Sequence, residues 1–462
     1  MFIGRENELA ALQKRYESDR FEFIVIYGRR RVGKTALIDK FLSDKRAIYF
    51  MGIESNAQQN LNELSSRIFE YSSGINADTS FSSFQAALGY VFDISKKERT
   101  ILVIDEYPYV AKASKSLSST LQMLIDKNKD ESKLMLILCG SSMSYMEDKV
   151  LAYKAPLYGR RTAQMKIEPF DFFTVCEYLK NMSDEDKALV YGIVGGTPQY
   201  LLQIDDRLSV EDNIKNCFLD PISFLYEEPV NLLKQEIREP GIYTAVISAI
   251  AAGATRVSEI SGKIGEDTNV CSAYLKILTE LGLVEKETPY GDTGTRKTIY
   301  KISDNMFRFW YRFVVDNISY IARRAADIAY SRIGPYLSEY MGSVFEDICE
   351  QYLWKELLEG KCPVMFHSLG RWWGTDPKTR SQTEIDIMGE QDRDTALFAE
   401  CKWTNAKVDT GVLELLIYRS TLFNYQNKHY YLFSRSGFTK GCIERARSEG
   451  HVSLVTYEDI LK

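Results

Sequence analysis

The stretch "FEFIVIYGRRRVGKTALIDKF", residues 21–41, decides the first domain. Five apolar or aromatic residues over 23–27 predict a buried strand. Gly28, Arg29, Arg30, Arg31, Val32 and Gly33 predict a tight loop, and Lys34, Thr35 and Ala36 open a segment with helical apolar spacing. Strand, glycine-bounded loop and helix in this order are what a P-loop requires. Glycines at 28 and 33 let the backbone turn its N–H groups toward phosphate oxygens, and the helix start adds its dipole. Lys34 is expected to reach the β- and γ-phosphates of a nucleotide, and the Thr35 hydroxyl to ligate Mg²⁺.

Hydrolysis needs a second half, which "RTILVIDEYPYV" (99–110) supplies. Asp105 is expected to hold Mg²⁺ through water, and Glu106 to polarise the attacking water. Alone, the pair would read as a strand capped by two solvated acids; behind a P-loop the catalytic reading is the stronger. "SKLMLILCGSSMSYME" (132–147) predicts another buried strand. Ser141 at its tip is the candidate γ-phosphate sensor, weighed against the ordinary use of serine in turns. "PLYGRRTAQMKIEPF" (156–170) reads as the fifth strand of the core, preceded by Arg160 and Arg161. Arg160 is the candidate for neutralising transition-state charge, although most surface arginines do no such thing.

Composition sets the context. At 462 residues about three domains are expected, each with its own core. A net charge of −6 gives no global attraction to nucleic acid, so any such contact needs a local basic surface. The eight cysteines form no CxxC pair and read as reduced, buried thiols, neither disulfide framework nor zinc ribbon. The three histidines, His367, His429 and His451, lack HExxH spacing, which argues against a His-ligated zinc hydrolase. No apolar run reaches the ~18 residues of a membrane span, and the start "MFIGRENELAAL" lacks a signal-peptide pattern. A cytoplasmic location and no membrane partner are expected.

As a set, "FIGRENEL" (2–9), "YGRRRVGKT" (27–35), "LVIDEYPYV" (102–110), "LYGRR" (157–161) and "GGTPQYL" (195–201) resemble the archaeal-type ATPases of the STAND and AAA+ neighbourhood. The resemblance spans most of 1–335 and implies ATP and Mg²⁺ as cofactors. It also implies Arg5 near the adenine and Pro198 against the base from a helical lid. Without it, "GGTP" is only a turn opening a helix.

Helical stretches over 171–236 fit such a lid. Helices over 242–252, 256–265 and 269–284, followed by "VEKETPYGDTGTRKTIYKIS" (284–303), resemble a winged helix. If its third helix enters a major groove, Asn269, Ser272 and Lys276 are its exposed polar side chains, with Arg296 and Lys297 in the wing. Glu280, Glu285 and Glu287 would repel phosphates, so internal packing or partner contact competes with DNA binding here. In "DNMFRFWYRFV" (304–314), Arg308 and Arg312 suggest base stacking, but core packing is the commoner use of such an aromatic run.

The last third turns on "TEIDIM" (383–388) and "ALFAECKW" (396–403). On strands, Glu384 and Asp386 share one face, as do Glu400 and Lys402. A hairpin register would bring Asp386, Glu400 and Lys402 to one side. Upstream, "YMGSVFEDICEQYLWKEL" (340–357) predicts a helix carrying Glu346, and "CPVMFHSLGRWWG" (362–374) a strand. Carboxylates of this kind hold Mg²⁺ for phosphodiester hydrolysis, with a lysine to position water or stabilise charge. The bland alternative is an E-x-K surface ion pair of little worth. The arrangement resembles the PD-(D/E)xK restriction-endonuclease-like fold, with Glu384 standing where that pattern often has proline. The resemblance implies metal ligation by Glu346, Asp386 and Glu400 with Lys402 assisting. Such a fold can also lose catalysis and keep its shape.

The predicted fold class is α/β. It comprises a P-loop AAA+-like core (1–170), a helical lid (171–236), a winged helix (237–303), an aromatic helical linker (304–335) and a restriction-endonuclease-like domain (336–462). The predicted function is a Mg²⁺-dependent ATPase whose nucleotide state controls a nuclease-like domain acting on DNA. The alternative is a nucleotide-driven switch whose inactive nuclease-like domain binds nucleic acid or protein. The sequence sets no oligomeric state.

Overall fold

Strand β1 (Glu22–Tyr27) is buried along its whole length, as are β3 (Thr100–Asp105) and β4 (Leu134–Gly140); β2 is Ile48–Met51 and β5 Ala163–Lys166. The five pair in parallel, in the order β2-β3-β4-β1-β5. A parallel sheet covered on both faces explains why these strands read as continuous apolar runs. Val25, Leu102 and Leu136 pack beneath helices Ala57–Ser73 and Phe84–Ser95. Ile24, Ile26, Val103 and Ile137 pack on the other face, against Leu37 and Ile38 of α1 (Lys34–Leu42).

The computed structural model describes residues 2–74, 79–294 and 296–462. The chain divides into two units, Met1–Pro169 with Thr197–Gln199, and Phe170–Gly196 with Tyr200–Lys462. The first holds the parallel sheet. All its strands point the same way, so the carboxyl ends of β1, β3 and β4 share one edge, where open α/β sheets bind ligands.

The second unit begins with helices that include Phe172–Tyr178, Asp184–Val194, Val210–Phe218 and Phe224–Glu236. Next come α2 (Pro240–Ala251), α3 (Val257–Ile264) and α4 (Thr268–Glu280), then the antiparallel pair β6 (Val284–Glu287) and β7 (Ile299–Ile302). Phe307, Phe309, Trp310, Tyr311 and Phe313 are buried in one core with Phe172, Tyr191 and Phe345 of α5 (Leu337–Leu358). The helices read from the sequence as a lid thus share their core with the aromatic stretch and α5. Polar contacts reinforce this: Asn305 donates to the Tyr191 carbonyl at 2.9 Å, and the Tyr340 hydroxyl to that of Gly192 at 2.6 Å.

The C-terminal sheet has the order β12-β11-β10-β9-β8. Its strands are β8 (Gly370–Thr375), β9 (Gln382–Glu390), β10 (Thr395–Lys402), β11 (Asn427–Ser434) and β12 (Val452–Thr456). β8 to β10 form an antiparallel meander, and β10, β11 and β12 run parallel. Ile387, Ala399 and Cys401 pack toward α5, while Ile385, Met388 and Phe398 pack with Leu413 and Leu416 of α6 (Thr410–Ser420) and Cys442 of α7 (Lys440–Glu449). The strand expected over 362–374 begins only at Gly370. Val364 and Phe366 are buried, so the apolar pattern before Gly370 records packing without a ladder. Among the described residues no helix is long and apolar enough to cross a membrane.

Gly28 leaves β1 at φ +155°, and a Cβ there would lie 2.3 Å from the Ile167 carbonyl oxygen. Gly28→Ala is therefore expected to destabilise the chain by ~2 kcal/mol or more in urea unfolding. Gly89→Ala is the control: Gly89 lies in helix Phe84–Ser95 with nothing within 4 Å of its added methyl. It should gain about 0.5–1 kcal/mol.

Candidate functional site

Gly33 caps α1 at φ +91°, which turns the loop into the helix start. Lys34 is buried beneath that loop, its Nζ donating to the carbonyls of Gly28 at 2.8 Å and Arg29 at 2.9 Å. Burial holds its pKa below the ordinary value, against the opposing pull of Cys139, Glu106 and Asp105. The Thr35 hydroxyl donates to Asp105 Oδ2 at 3.1 Å, and the Tyr49 hydroxyl donates to the same oxygen at 2.6 Å. The Glu106 N–H donates to Asp105 Oδ1 at 2.8 Å. The hydroxyl and carboxylate able to flank a Mg²⁺ ion are thus already in contact, and this donor set fits the ion.

Glu106 sits at φ +48°, a left-handed conformation costly for a non-glycine residue and frequent at functional sites. Both its carboxylate oxygens accept from Ser141 Oγ at 3.0 Å. β4 lies between β1 and β3, which is how the serine at its tip meets the glutamate after β3. Arg5 is buried and donates to the carbonyls of Val32 at 3.2 Å and Glu168 at 2.5 Å, tying the N-terminal segment to the loop. Arg31, at φ +73°, accepts the Gln199 N–H on its carbonyl at 3.4 Å, and Arg30 donates to the Tyr109 hydroxyl at 2.9 Å. Pro198 packs beside Gly33, with Cγ 3.6 Å from where a Cβ would stand. Ala36 is exposed on the first turn of α1, and Val32 is buried. Arg160 is not brought into this group: both carboxylate oxygens of Asp126 hold its guanidinium at 2.7 Å. Tyr49 was not legible as a site residue, because only the sheet order sets β2 beside β3.

The C-terminal carboxylates divide into two environments. Glu346 of α5 and Asp386 of β9 line one cavity of about 920 Å³. Asp386 is 8% exposed, and its Oδ2 accepts the Cys401 N–H at 2.8 Å. Glu400 is 5% exposed and is held by Lys402 Nζ at 2.7 Å and by an Arg419 guanidinium nitrogen at 3.0 Å. Burial raises Glu346 and Asp386; the Asp386 charge adds to the first effect and that of Glu400 to the second. Lys402 is pulled down by burial, but Glu400 and Asp386 outweigh this and hold it above its usual value.

The expectation that Asp386, Glu400 and Lys402 share one side is corrected. On β10, Ala396 and Phe398 face α6, so alternation sends Glu400 and Lys402 the same way, toward Arg419 of α6. On β9 the alternation slips: Ile385 and Met388 face α6 while Ile387 faces α5. The β8–β9 pairing shifts between Gly370 and Trp372, and such a bulge re-aims the side chain beside it. Asp386 consequently opens into the cavity with Glu346. Among the described residues no group of three or more His, Cys, Asp or Glu side chains is arranged to hold a metal ion. The trio Glu346, Asp386 and Glu400 therefore does not fit a divalent ion in this arrangement, because Glu400 is neutralised by two cations. Arg419 and Arg371 were missed in sequence. The one signal was Arg419 beside the buried helical positions Leu413, Leu416 and Ser420.

Glu350, one turn beyond Glu346, is pushed up to about 7 by burial and then Asp347, with Glu285 and Glu287 adding and Lys301 opposing. A carboxyl raised in the folded state gives stability that is full below its unfolded value and lost as pH rises through about 7. Glu350→Gln is expected to raise stability at pH 8 by on the order of 1–2 kcal/mol, with no gain at pH 4, in parallel denaturation curves.

Residues 2–204 match a family described as an ATPase domain predominantly from Archaea, and residues 310–412 one described as "Archaea bacterial proteins of unknown function". The uncharacterized protein MJECL04 of Methanocaldococcus jannaschii is 34% identical over 412 residues, 88% of each chain. The uncharacterized ATP-binding protein MJ0147 of the same organism is 22% identical over 292 residues, covering 52% of this chain and 76% of its own. Among solved structures, the Walker-type ATPase PABY2304 of Pyrococcus abyssi shares the fold, with a TM-score of 0.53 at 21% identity over 67% of this chain and 96% of its own. With that first relative aligned along both chains, and with the archaeal ATPase domain over its first 204 residues, the chain belongs to the archaeal-type P-loop ATPase family.

Proposed function

We propose that the chain hydrolyses ATP with Mg²⁺ and that its nucleotide state controls a C-terminal restriction-endonuclease-like module acting on DNA. The observation that carries the first half is the meeting of Thr35, Asp105, Glu106 and Ser141 at one sheet edge. Lys34 and the loop N–H groups hold the β- and γ-phosphates, and Thr35 with Asp105 holds the ion. When bound there, the ion neutralises charge on the phosphate oxygens. Glu106 orients the attacking water and accepts its proton once the Ser141 hydroxyl turns from the carboxylate to the γ-phosphate. Tyr49 orients Asp105 from the neighbouring strand.

The second half rests on element order: α5, the β8-β9-β10 meander, α6 and then β11 parallel to β10. Glu346, Asp386, Glu400 and Lys402 lie on these elements. The three helices and hairpin before them support a winged-helix reading, with Asn269, Ser272, Lys276, Arg296 and Lys297 all exposed. No hydrolytic step is assigned to the C-terminal module, whose donor set is not assembled. One observation favours the second reading, a switch that binds without cutting: nine acidic against five basic side chains line the cavity, which repels a polyanion.

Purified chain separates the readings. Glu106→Gln should lower ATP turnover about 100-fold or more. Tyr49→Phe should raise the Mg²⁺ concentration for half-maximal binding of a fluorescent ATP analogue about threefold to tenfold. Cleavage of duplex DNA with Mg²⁺ or Mn²⁺, abolished in Asp386→Ala and Lys402→Ala, supports the nuclease. ATP turnover with no cleavage under either metal supports the switch.

A further inference from the structure

We infer that the β6–β7 hairpin is an inhibitory cover on the C-terminal carboxylate pocket, which must lift before a nucleic acid reaches Asp386 and Glu346. The inference rests on reading that pocket as the working site of the module. One wall of the cavity is Glu346, Asp347 and Glu350 of α5 with Arg371 and Asp386 of the sheet; the opposite wall is Glu285, Glu287 and Lys301 of the hairpin. A volume of about 920 Å³ suits a small ligand. It does not suit a duplex, whose major groove alone is ~12 Å wide. With the hairpin down, the two carboxylates are closed to DNA.

The hairpin is fastened at both ends by few bonds. At its tip the Tyr290 N–H donates to the Arg371 carbonyl at 2.9 Å, and the Tyr290 hydroxyl accepts the Glu390 N–H at 3.0 Å. At its base Lys301, bridged at 3.0 Å to Glu285 within the hairpin, lies 3.9 Å from Asp347 of α5, the carboxylate that Arg308 of the following helix holds at 3.4 Å. Between these points the contact is poorly satisfied. Glu287 Oε2 and Arg371 Nε are both buried without a hydrogen-bond partner: Glu287 reaches Lys301 with its other oxygen only at 4.0 Å, and Arg371 pairs with Glu384 of its own sheet through another nitrogen, while each group feels the other's charge. A permanent core contact seldom leaves a carboxylate oxygen and a guanidinium nitrogen unbonded in this way. An acid facing across the cavity an arginine nitrogen that a phosphate could claim is the chemistry of a displaceable plug.

The test reads access directly, on the full chain. A water-soluble carbodiimide with glycine methyl ester labels accessible carboxylates, and peptide mass spectrometry quantifies Glu346 and Asp386. In Tyr290→Ala, which loses both the packed ring and the hydroxyl, labelling at both positions is expected to rise about fivefold or more, and in Tyr290→Phe by less, because only the hydroxyl, with its bond to Glu390, is lost and the ring still packs. Thermal melting of each variant monitors folding; if Tyr290→Ala loses its cooperative transition, Tyr290→Phe decides. Unchanged labelling in a variant that melts cooperatively overturns the cover, whatever the DNA does. Raised labelling supports it. Duplex cleavage with Mn²⁺ in the same variants judges the nuclease reading separately: raised labelling without cleavage keeps the cover and removes the nuclease.

Discussion

Asp105 is 2% exposed, and three donors satisfy its buried oxygens: the hydroxyls of Thr35 and Tyr49 and the N–H of Glu106. A buried carboxylate costs several kcal/mol unless it is hydrogen-bonded or neutralised. Each donor comes from a different element, the first turn of α1, strand β2 and the turn after β3. Satisfying this one group fixes how those elements align at the sheet edge. The same alignment sets the helix start behind the loop and brings Ser141 of β4 against Glu106, so the geometry of hydrolysis and the satisfaction of a buried charge share one cause.

The C-terminal sheet resolves buried carboxylates differently. Glu400 has two cationic partners, Lys402 and Arg419, at ion-pair distance. Glu346, Asp386 and Glu350 lack such partners at contact distance, and desolvation pushes all three upward. The first unit therefore presents charged groups already matched to a cation. The second holds three acids biased toward the neutral form around a cavity, and a divalent ion or a freed cation would reverse that bias. This difference explains why one set of motif residues forms a site in this arrangement and the other does not.

What was legible in the sequence follows how local the physics is. The loop over 28–35 could be read because phosphate binding by a glycine-bounded turn needs nothing from elsewhere in the chain. Ser141 required only that a strand end there. Asp386 could not be placed, because a one-residue slip against a neighbouring strand reverses the face of a side chain, and the slip belongs to the β8–β9 pairing rather than to "TEIDIM". Tyr49, Arg371 and Arg419 reach their partners across 56, 13 and 19 residues respectively, through sheet order and helix packing that no short window contains. Arg160 carried a tempting position beside "LYGR", but its partner Asp126 lies 34 residues earlier, in helix Leu117–Asn128, outside the stretch that suggested the role.

Whether the pocket opens by moving the hairpin or by moving α5 is decided by what each is packed into. α5 buries Met341, Val344, Phe345, Ile348, Cys349 and Leu353 in the largest core of the chain, and displacing it would expose that whole face. The hairpin commits Val284 and Ile302 to the same core only at its base, and its outer part rests on Tyr290 and a few ion pairs. Each exposed ion pair is worth under ~1 kcal/mol. β8 is the edge of its sheet, and the bond from Tyr290 occupies a carbonyl that an edge strand otherwise offers to any extended chain. The hairpin thus protects an edge and closes a cavity through contacts weak enough to exchange, so it, and not the helix that carries Glu346, is the part able to move.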